Sequence, residues 1–273
     1  MEEARGSRDP TSSGRSPLRR EDHALRAGRW TDDETCIVDG VEFICRTLHR
    51  FPSTPGRFHL VKRPDLVRGY EELLHRLEPS TIVEVGVLQG GSVAFASLVA
   101  EPELLVAFEL SPDRVPALDA LIRSRGLTER IHVHHGVNQA DRETLIGHLA
   151  AVGIGPDRPL DLVVDDASHL VHETRQTFEA LFPLLRPGGV FVVEDWAWAH
   201  VGYGSQFPDE RPLSELVFEL VFAAAGRPDV VARVDVDRDW AAVTRGPAEL
   251  PGDGSFAIRD LYNSRSAAML PPA

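Results

Sequence analysis

Val83-Glu84-Val85-Gly86-Val87-Leu88-Gln89-Gly90-Gly91-Ser92 runs from a short apolar strand into a helix through a turn that holds three glycines. Such a turn lets a ligand approach the backbone closely, and the helix behind it offers N–H groups that have no intrahelical partner. The spacing of Gly86, Gly90 and Gly91 departs from the Gly-x-Gly-x-x-Gly of dinucleotide-binding turns. Taken alone, these glycines serve equally well to shape a tight strand-to-helix connection. An acidic residue, Glu84, precedes them.

Outward from this turn the chain alternates. Strands are predicted at Thr81 to Val85, Leu104 to Phe108, Ile131 to His135, Asp161 to Val164 and Val190 to Val193. Helices are predicted at Gly91 to Ala100, Pro112 to Arg125, Asp141 to Val152, His172 to Leu185 and Leu213 to Ala225. Short Val-rich strands alternating with helices specify an α/β, doubly wound, mostly parallel sheet covered on both faces. After Gly226 two β-rich runs, Val230 to Val236 and Trp240 to Arg245, predict an antiparallel hairpin at the sheet edge.

Upstream of the turn, Pro64-Asp65 opens a helix with apolar positions at Leu66, Tyr70, Leu73, Leu74 and Leu77. Before it, Asp39-Gly40 sits between two β-rich runs and predicts a type I′ hairpin, with a further short strand around Phe58 to Lys62. In that register Val38 faces Val41, Cys36 faces Phe43, and Cys45 is diagonal to Cys36. Diagonal neighbours lie ~7–8 Å apart, so two free thiols are expected. Residues 1–29 are rich in Arg, Ser, Gly, Pro and Glu and are read as a disordered arm. The division is then 1–29 arm, 30–64 N-terminal hairpin extension and 65–273 main domain.

Chemistry gathers at the predicted carboxyl ends of the strands, where open α/β sheets place ligands. Glu109 closes the second strand, positioned to accept hydrogen bonds from both hydroxyls of a ribose; helix capping is the plainer role. The fourth strand ends in Asp165-Asp166-Ala167-Ser168-His169 and the fifth in Glu194-Asp195-Trp196. Carboxylates that converge repel one another unless a proton, a base or a metal compensates. All-oxygen donors favour a hard cation such as magnesium. Each of these acids, taken singly, is equally a solvated group or a helix cap.

Glu84-Val85-Gly86 with Gly90, together with Glu109, resembles the class I S-adenosylmethionine-dependent methyltransferases over roughly residues 70–245. The resemblance implies a Rossmann-like methyltransferase sheet with S-adenosylmethionine as cofactor. Gly86 and Gly90 would then lie against its amino-acid part, with Glu84 a further cofactor-binding residue of that motif, Glu109 on its ribose, and Asn138 or Gln139 beside adenine. A narrower likeness joins Asp165-Asp166-Ala167-Ser168-His169 to the run Thr177-Phe178-Glu179-Ala180-Leu181-Phe182-Pro183 through Glu194-Asp195. That pattern is similar to the macrolide-sugar O-methyltransferases and to the cephalosporin-hydroxylase and rhamnosyl O-methyltransferase group. It implies Asp166, Glu194 and Asp195 as ligands of magnesium or another hard divalent cation, and His169 as the catalytic base. Asp165 becomes a cofactor-side or structural acid, although it and Asp166 could exchange roles. Adjacent strand residues point to opposite faces, so Glu194 and Asp195 can share an ion only if the chain bends there.

The expected activity is therefore metal-assisted methyl transfer to a hydroxyl of a sugar or other natural-product small molecule. A hydroxylase-associated biosynthetic protein and a non-catalytic cofactor-binding scaffold are the rival readings. Trp196, Trp198 and Tyr203 could wall the substrate, while His132, His134 and His135 read as structural and His172 as the start of a helix. The acceptor pocket is expected between the loop from Gly202 to Pro212 and the N-terminal extension. A formal net charge of −13 argues against a nucleic-acid partner. No apolar run is long enough to span a membrane and the first residues lack a signal peptide, so a cytoplasmic protein is expected. A homo-oligomer is what the resemblance suggests.

Overall fold

The computed structural model describes residues 26–47, 51–201, 211–251 and 254–262. Most of the predicted arm, Tyr203 and most of the Gly202–Pro212 loop lie outside the described residues.

The N-terminal segment builds a four-stranded sheet in chain order: β1 (Arg29–Trp30), β2 (Thr35–Val38), β3 (Val41–Cys45) and β4 (Arg57–Leu60). Asp39 and Gly40 both take positive φ, 49° and 77°, as a type I′ turn requires, and Val38 faces Val41 with Cys36 opposite Phe43. Both cysteines are free and buried, and burial pushes their thiols up to about 11 and about 12. β4 adds parallel to β3. Order begins before the predicted end of the arm: Arg29 already pairs with Ile37, and the Gly28 N–H donates to Glu71.

α1 (Pro64–Leu77) then leads into the main sheet. Its elements are β5 (Thr81–Val85), α2 (Gly91–Val99), β6 (Leu104–Glu109), α3 (Pro116–Ser124), β7 (Ile131–His135), α4 (Arg142–Ala151) and β8 (Leu160–Asp165). They continue through α5 (Val171–Leu181), β9 (Leu185–Glu194), α6 (Ser214–Gly226), β10 (Val231–Val236) and β11 (Trp240–Arg245). Strand order is β10-β11-β9-β8-β5-β6-β7, and β11 alone runs against its neighbours. The sheet is thus mixed α/β, mostly parallel and doubly wound, with the antiparallel hairpin at its edge. β5 lies between β6 and β8, and there the winding reverses, opening a crevice at the strand ends.

Two helix predictions shift for one reason, the missing N–H of proline. α3 begins at Pro116, where no donor is needed, and Val115 before it stays extended; the predicted start was Pro112. α5 stops at Leu181 and passes through a 3-10 turn at Phe182–Leu184 that contains Pro183, four residues short of the predicted Leu185. β9 consequently starts at Leu185, earlier than the predicted Val190.

The sheet separates two apolar layers. One face packs Ile82, Leu162 and Val192 against α1, α2, α3 and the N-terminal sheet through Phe43, Phe58 and Phe95. The other packs Val83, Val163 and Phe191 against α4, α5 and α6. Fully burying each such side chain contributes roughly 1.5–3 kcal/mol. This alternation fixes the side to which each strand-end acid points.

Candidate active site

A cleft of about 590 Å³ opens over the carboxyl ends of β5, β6, β8 and β9. Gly86 makes it possible: φ is 98°, and a Cβ there would collide with the Asp166 carbonyl oxygen. Gly86, Gly91 and Ser92 line the cleft, whereas Gly90 does not. Gly90 shapes the turn instead, with φ of 75° and no room for a side chain against Leu118.

Glu109 lines the cleft and braces the glycine turn. Its Oε2 accepts from the Val87 and Leu88 N–H groups at 2.9 Å each, and its Oε1 from Ser111 N–H at 2.8 Å. Burial raises its pKa, but the three N–H donors outweigh this and hold the carboxyl below its ordinary range. Glu84 is placed differently. It is buried on the α2 face, accepts the Ser92 hydroxyl and stays out of the cleft. Burial pushes it up to about 7.

Asn138 and Gln139 both line the cleft. Asn138 caps the Ala140 N–H at 2.9 Å. Gln139 donates to both oxygens of Asp165 at 3.2 Å and accepts Ser168 N–H at 2.9 Å, so it pins the loop after β8. Asp165 is buried on the α5 side, away from the cleft, where burial and then the neighbouring Asp166 push it up to about 7. Of its two alternative roles, the geometry is that of the structural acid.

Asp166, His169 and Asp195 come together. His169 Nε2 lies 4.0 Å from Asp166 Oδ1 and 3.9 Å from Asp195 Oδ2, and one donor atom from each residue falls within 4.8 Å of the others. All three border the cleft. Leu88, His169 and Asp195 are non-glycine residues held at positive φ, 49°, 56° and 54°, a strain that persists where surrounding structure enforces it. Burial, followed by Asp166, raises the Asp195 pKa. The two carboxylates so arranged fit a divalent cation of the magnesium or manganese kind, with water completing its shell and the imidazole standing beside it.

Glu194 is not brought into this set. It ends β9 on the α1 face, 2 % exposed, and its Oε1 accepts from Lys62 Nζ at 2.6 Å and from the Tyr70 hydroxyl at 2.5 Å. The chain does bend after it, at Asp195 with φ of 54°, but the bend does not bring the two acids onto one point. Lys62 also reaches Asp166 Oδ2 at 2.5 Å. Burial alone lowers an ammonium's pKa, yet Asp166 and Glu194 more than compensate and hold Lys62 charged. Burial and Asp166 together push Glu194 up toward about 8, against the pull of Lys62. With two carboxylates touching one nitrogen, the proton stays on Lys62.

Sequence reasoning missed Lys62. A signal was present, because it is the chain's only lysine. Trp198 stacks against His169 with ring centroids 4.1 Å apart and lines the cleft, whereas Trp196 donates its indole N–H to the Asp237 carbonyl outside it. His134 stacks on Phe108 and His148, and His172 is exposed in the first turn of α5.

Sheet order, reversal point and glycine-lined crevice are those of a doubly wound Rossmann-like fold, and residues 83–196 match the family model described as a methyltransferase domain. Among curated proteins, the chain is similar to mycinamicin VI 2''-O-methyltransferase of Micromonospora griseorubida, 49% identical over 49 residues, or 18% of this chain and 12% of that one. It is also 49% identical over 60 residues to demethylmacrocin O-methyltransferase of Streptomyces fradiae, covering 21% of this chain and 15% of that one. Among solved structures, the MycE methyltransferase of mycinamycin biosynthesis, in complex with Mg, SAH and mycinamycin VI, superposes with a TM-score of 0.51 at 24% identity. That match covers 70% of this chain and 51% of MycE, so the chain spans about half the length of this neighbour. Among the described residues, no helix is long and apolar enough to cross a membrane.

Proposed function

We propose that this chain transfers the methyl group of S-adenosylmethionine to a hydroxyl oxygen of a sugar or similar natural-product small molecule, assisted by a divalent cation. The observation that carries this reading is the convergence of Asp166, His169 and Asp195 on the cleft that Gly86 and Glu109 also line. The local similarity to curated sugar O-methyltransferases supports the substrate class.

When bound, the sulfonium donor supplies an electrophilic methyl group, and a divalent ion supplies positive charge beside the reacting oxygen. The chain's residues do the rest. Glu109 would receive the ribose hydroxyls, and Gly86 would leave room for the amino-acid portion. Asp166 and Asp195 would hold the ion. His169 takes the hydroxyl proton at Nε2 as the oxygen–methyl bond forms and the carbon–sulfur bond breaks, its electrons remaining on sulfur in S-adenosylhomocysteine. Trp198, packed on the imidazole, limits its rotation. Alignment of oxygen, carbon and sulfur in such a cleft can be worth ~7–11 kcal/mol.

Charge supports the ion. Burial and the neighbouring Asp166 raise the pKa of both Glu194 and Asp195 despite Lys62, a penalty that a further cation would relieve.

The test is mass spectrometry of candidate glycosides incubated with the full chain and methyl-labelled S-adenosylmethionine. One labelled methyl per product is expected, lost on chelation and restored by magnesium. His169→Ala should lower kcat by about 10²–10⁴ while S-adenosylhomocysteine still binds. Cofactor binding without product across the panel would favour a scaffold, and an oxygenated product the hydroxylase class.

A further inference from the structure

We propose that Lys62 is the resident cation of this site: its ammonium occupies the position between Asp166 and Glu194, withdraws Glu194 from the donors open to a divalent ion, and leaves Asp166 and Asp195 to hold one beside His169. The inference rests on the metal-assisted reading above and departs from the ligand set expected of the sequence.

Geometry comes first. Lys62 Nζ contacts both carboxylates, at 2.5 Å from Asp166 Oδ2 and 2.6 Å from Glu194 Oε1. The same Glu194 oxygen accepts the Tyr70 hydroxyl, so it is already doubly engaged. The ammonium also lies 5.5 Å from the centre of the Tyr70 ring, on whose face a cation is favourably placed. Next to this contact is a cavity of about 30 Å³, bordered by Lys62, Tyr70, Glu84 and Glu194. That is room for one or two waters, too little for a hydrated divalent ion unless the ammonium leaves.

Composition points the same way. Every other cationic residue of the chain, 28 of them, is arginine. A planar guanidinium needs a wide, forked slot, whereas an ammonium is a compact point charge that donates in three directions. The only lysine stands where two carboxylates from different strands close on a single buried point. Its position also links the N-terminal sheet to the site, because Lys62 lies two residues beyond β4 while Asp166 follows β8 and Glu194 closes β9.

Removing the ammonium leaves Asp166 and Glu194 facing each other in a buried place, a pair that would recruit a divalent ion. The test is Mn²⁺ binding to the full chain, read from the EPR signal of free Mn²⁺. In Glu194→Gln the affinity is expected to stay within about 3-fold of wild type, whereas Asp195→Asn weakens it by about 10-fold or more. Lys62→Met is expected to tighten binding by about 10-fold, and the double variant with Glu194→Gln to lose that gain. If wild type binds no Mn²⁺ but Lys62→Met does so through Glu194, the displacement of the ion by Lys62 stands, whereas ion binding by Asp166 and Asp195 falls together with metal assistance of the reaction. A loss in Glu194→Gln as large as in Asp195→Asn overturns the inference, as does an unchanged affinity in Lys62→Met. Lys62→Gln replaces the methionine variant if that one does not fold, and calorimetry with S-adenosylhomocysteine checks that each variant retains its cleft.

Discussion

Asp165 and Asp166 are neighbours in the chain and face opposite sides of the sheet. Asp165 turns toward α5, where Gln139 donates to it, while Asp166 turns toward Lys62 and the cleft. Sequence leaves their roles exchangeable; the alternation of β8 separates them.

The two positions therefore respond differently to amide substitution. Asp165 is held near 7 in the fold against 3.8 in a free chain, so the folded state keeps a proton that the unfolded state has released. Stability from this group is greatest below pH 4 and falls as pH rises from 4 to 7. Asp165→Asn removes that cost, which is at most about 4 kcal/mol. Its melting temperature should exceed wild type by several degrees at pH 8 and converge with it near pH 4. A variant that melts below wild type at both pH values would show that the carboxyl is needed for packing. Asp166→Asn should instead abolish methyl transfer and, by taking one of two carboxylates from the buried Lys62, lower the melting temperature.

Glu109 braces the glycine turn and lines the cleft, where the proposed function gives it the ribose of the cofactor. Glu109→Ala is expected to weaken S-adenosylhomocysteine binding by about 10–100-fold, the value of one or two charge-assisted hydrogen bonds. Calorimetry measures this directly, and wild-type affinity would remove Glu109 from the cofactor site.

Gly86→Ala combines a left-handed backbone with a collision against the Asp166 carbonyl. Together these should cost at least about 2 kcal/mol in urea unfolding and should weaken cofactor binding as the β5–β8 junction shifts. Gly153→Ala has positive φ without a neighbour to strike, and should cost less.

His134 gives the fold an acid-sensitive point. Burial, then the neighbouring His148, His132 and His135, lower its pKa to about 4. The unfolded chain takes up that proton first, so stability is lost as pH falls from 6.5 toward 4. His134→Phe keeps the stack on Phe108 and should flatten the fall of melting temperature between pH 7 and pH 5. Parallel pH profiles for the two proteins would assign the acid sensitivity elsewhere.

Much of this was legible in the linear chain because it is local. Strand and helix alternation fixed the doubly wound sheet, Asp39-Gly40 fixed the hairpin register, and the Gly86 turn with Glu109 marked the crevice. Acids at Asp166 and Asp195 followed from strands ending there. Prolines moved the helix limits, since Pro116 and Pro183 act through single missing donors that periodicity does not register.

What only tertiary structure decided is which acids meet. Lys62 reaches Asp166 across 104 positions of sequence and Tyr70 reaches Glu194 across 124, contacts that no local pattern encodes. Strand alternation carries Glu194 into the core on the face of Val192, and one backbone angle, φ of 54° at Asp195, turns the next acid at the cleft. Periodicity names the candidates; the packing of a distant strand and a single left-handed residue choose among them.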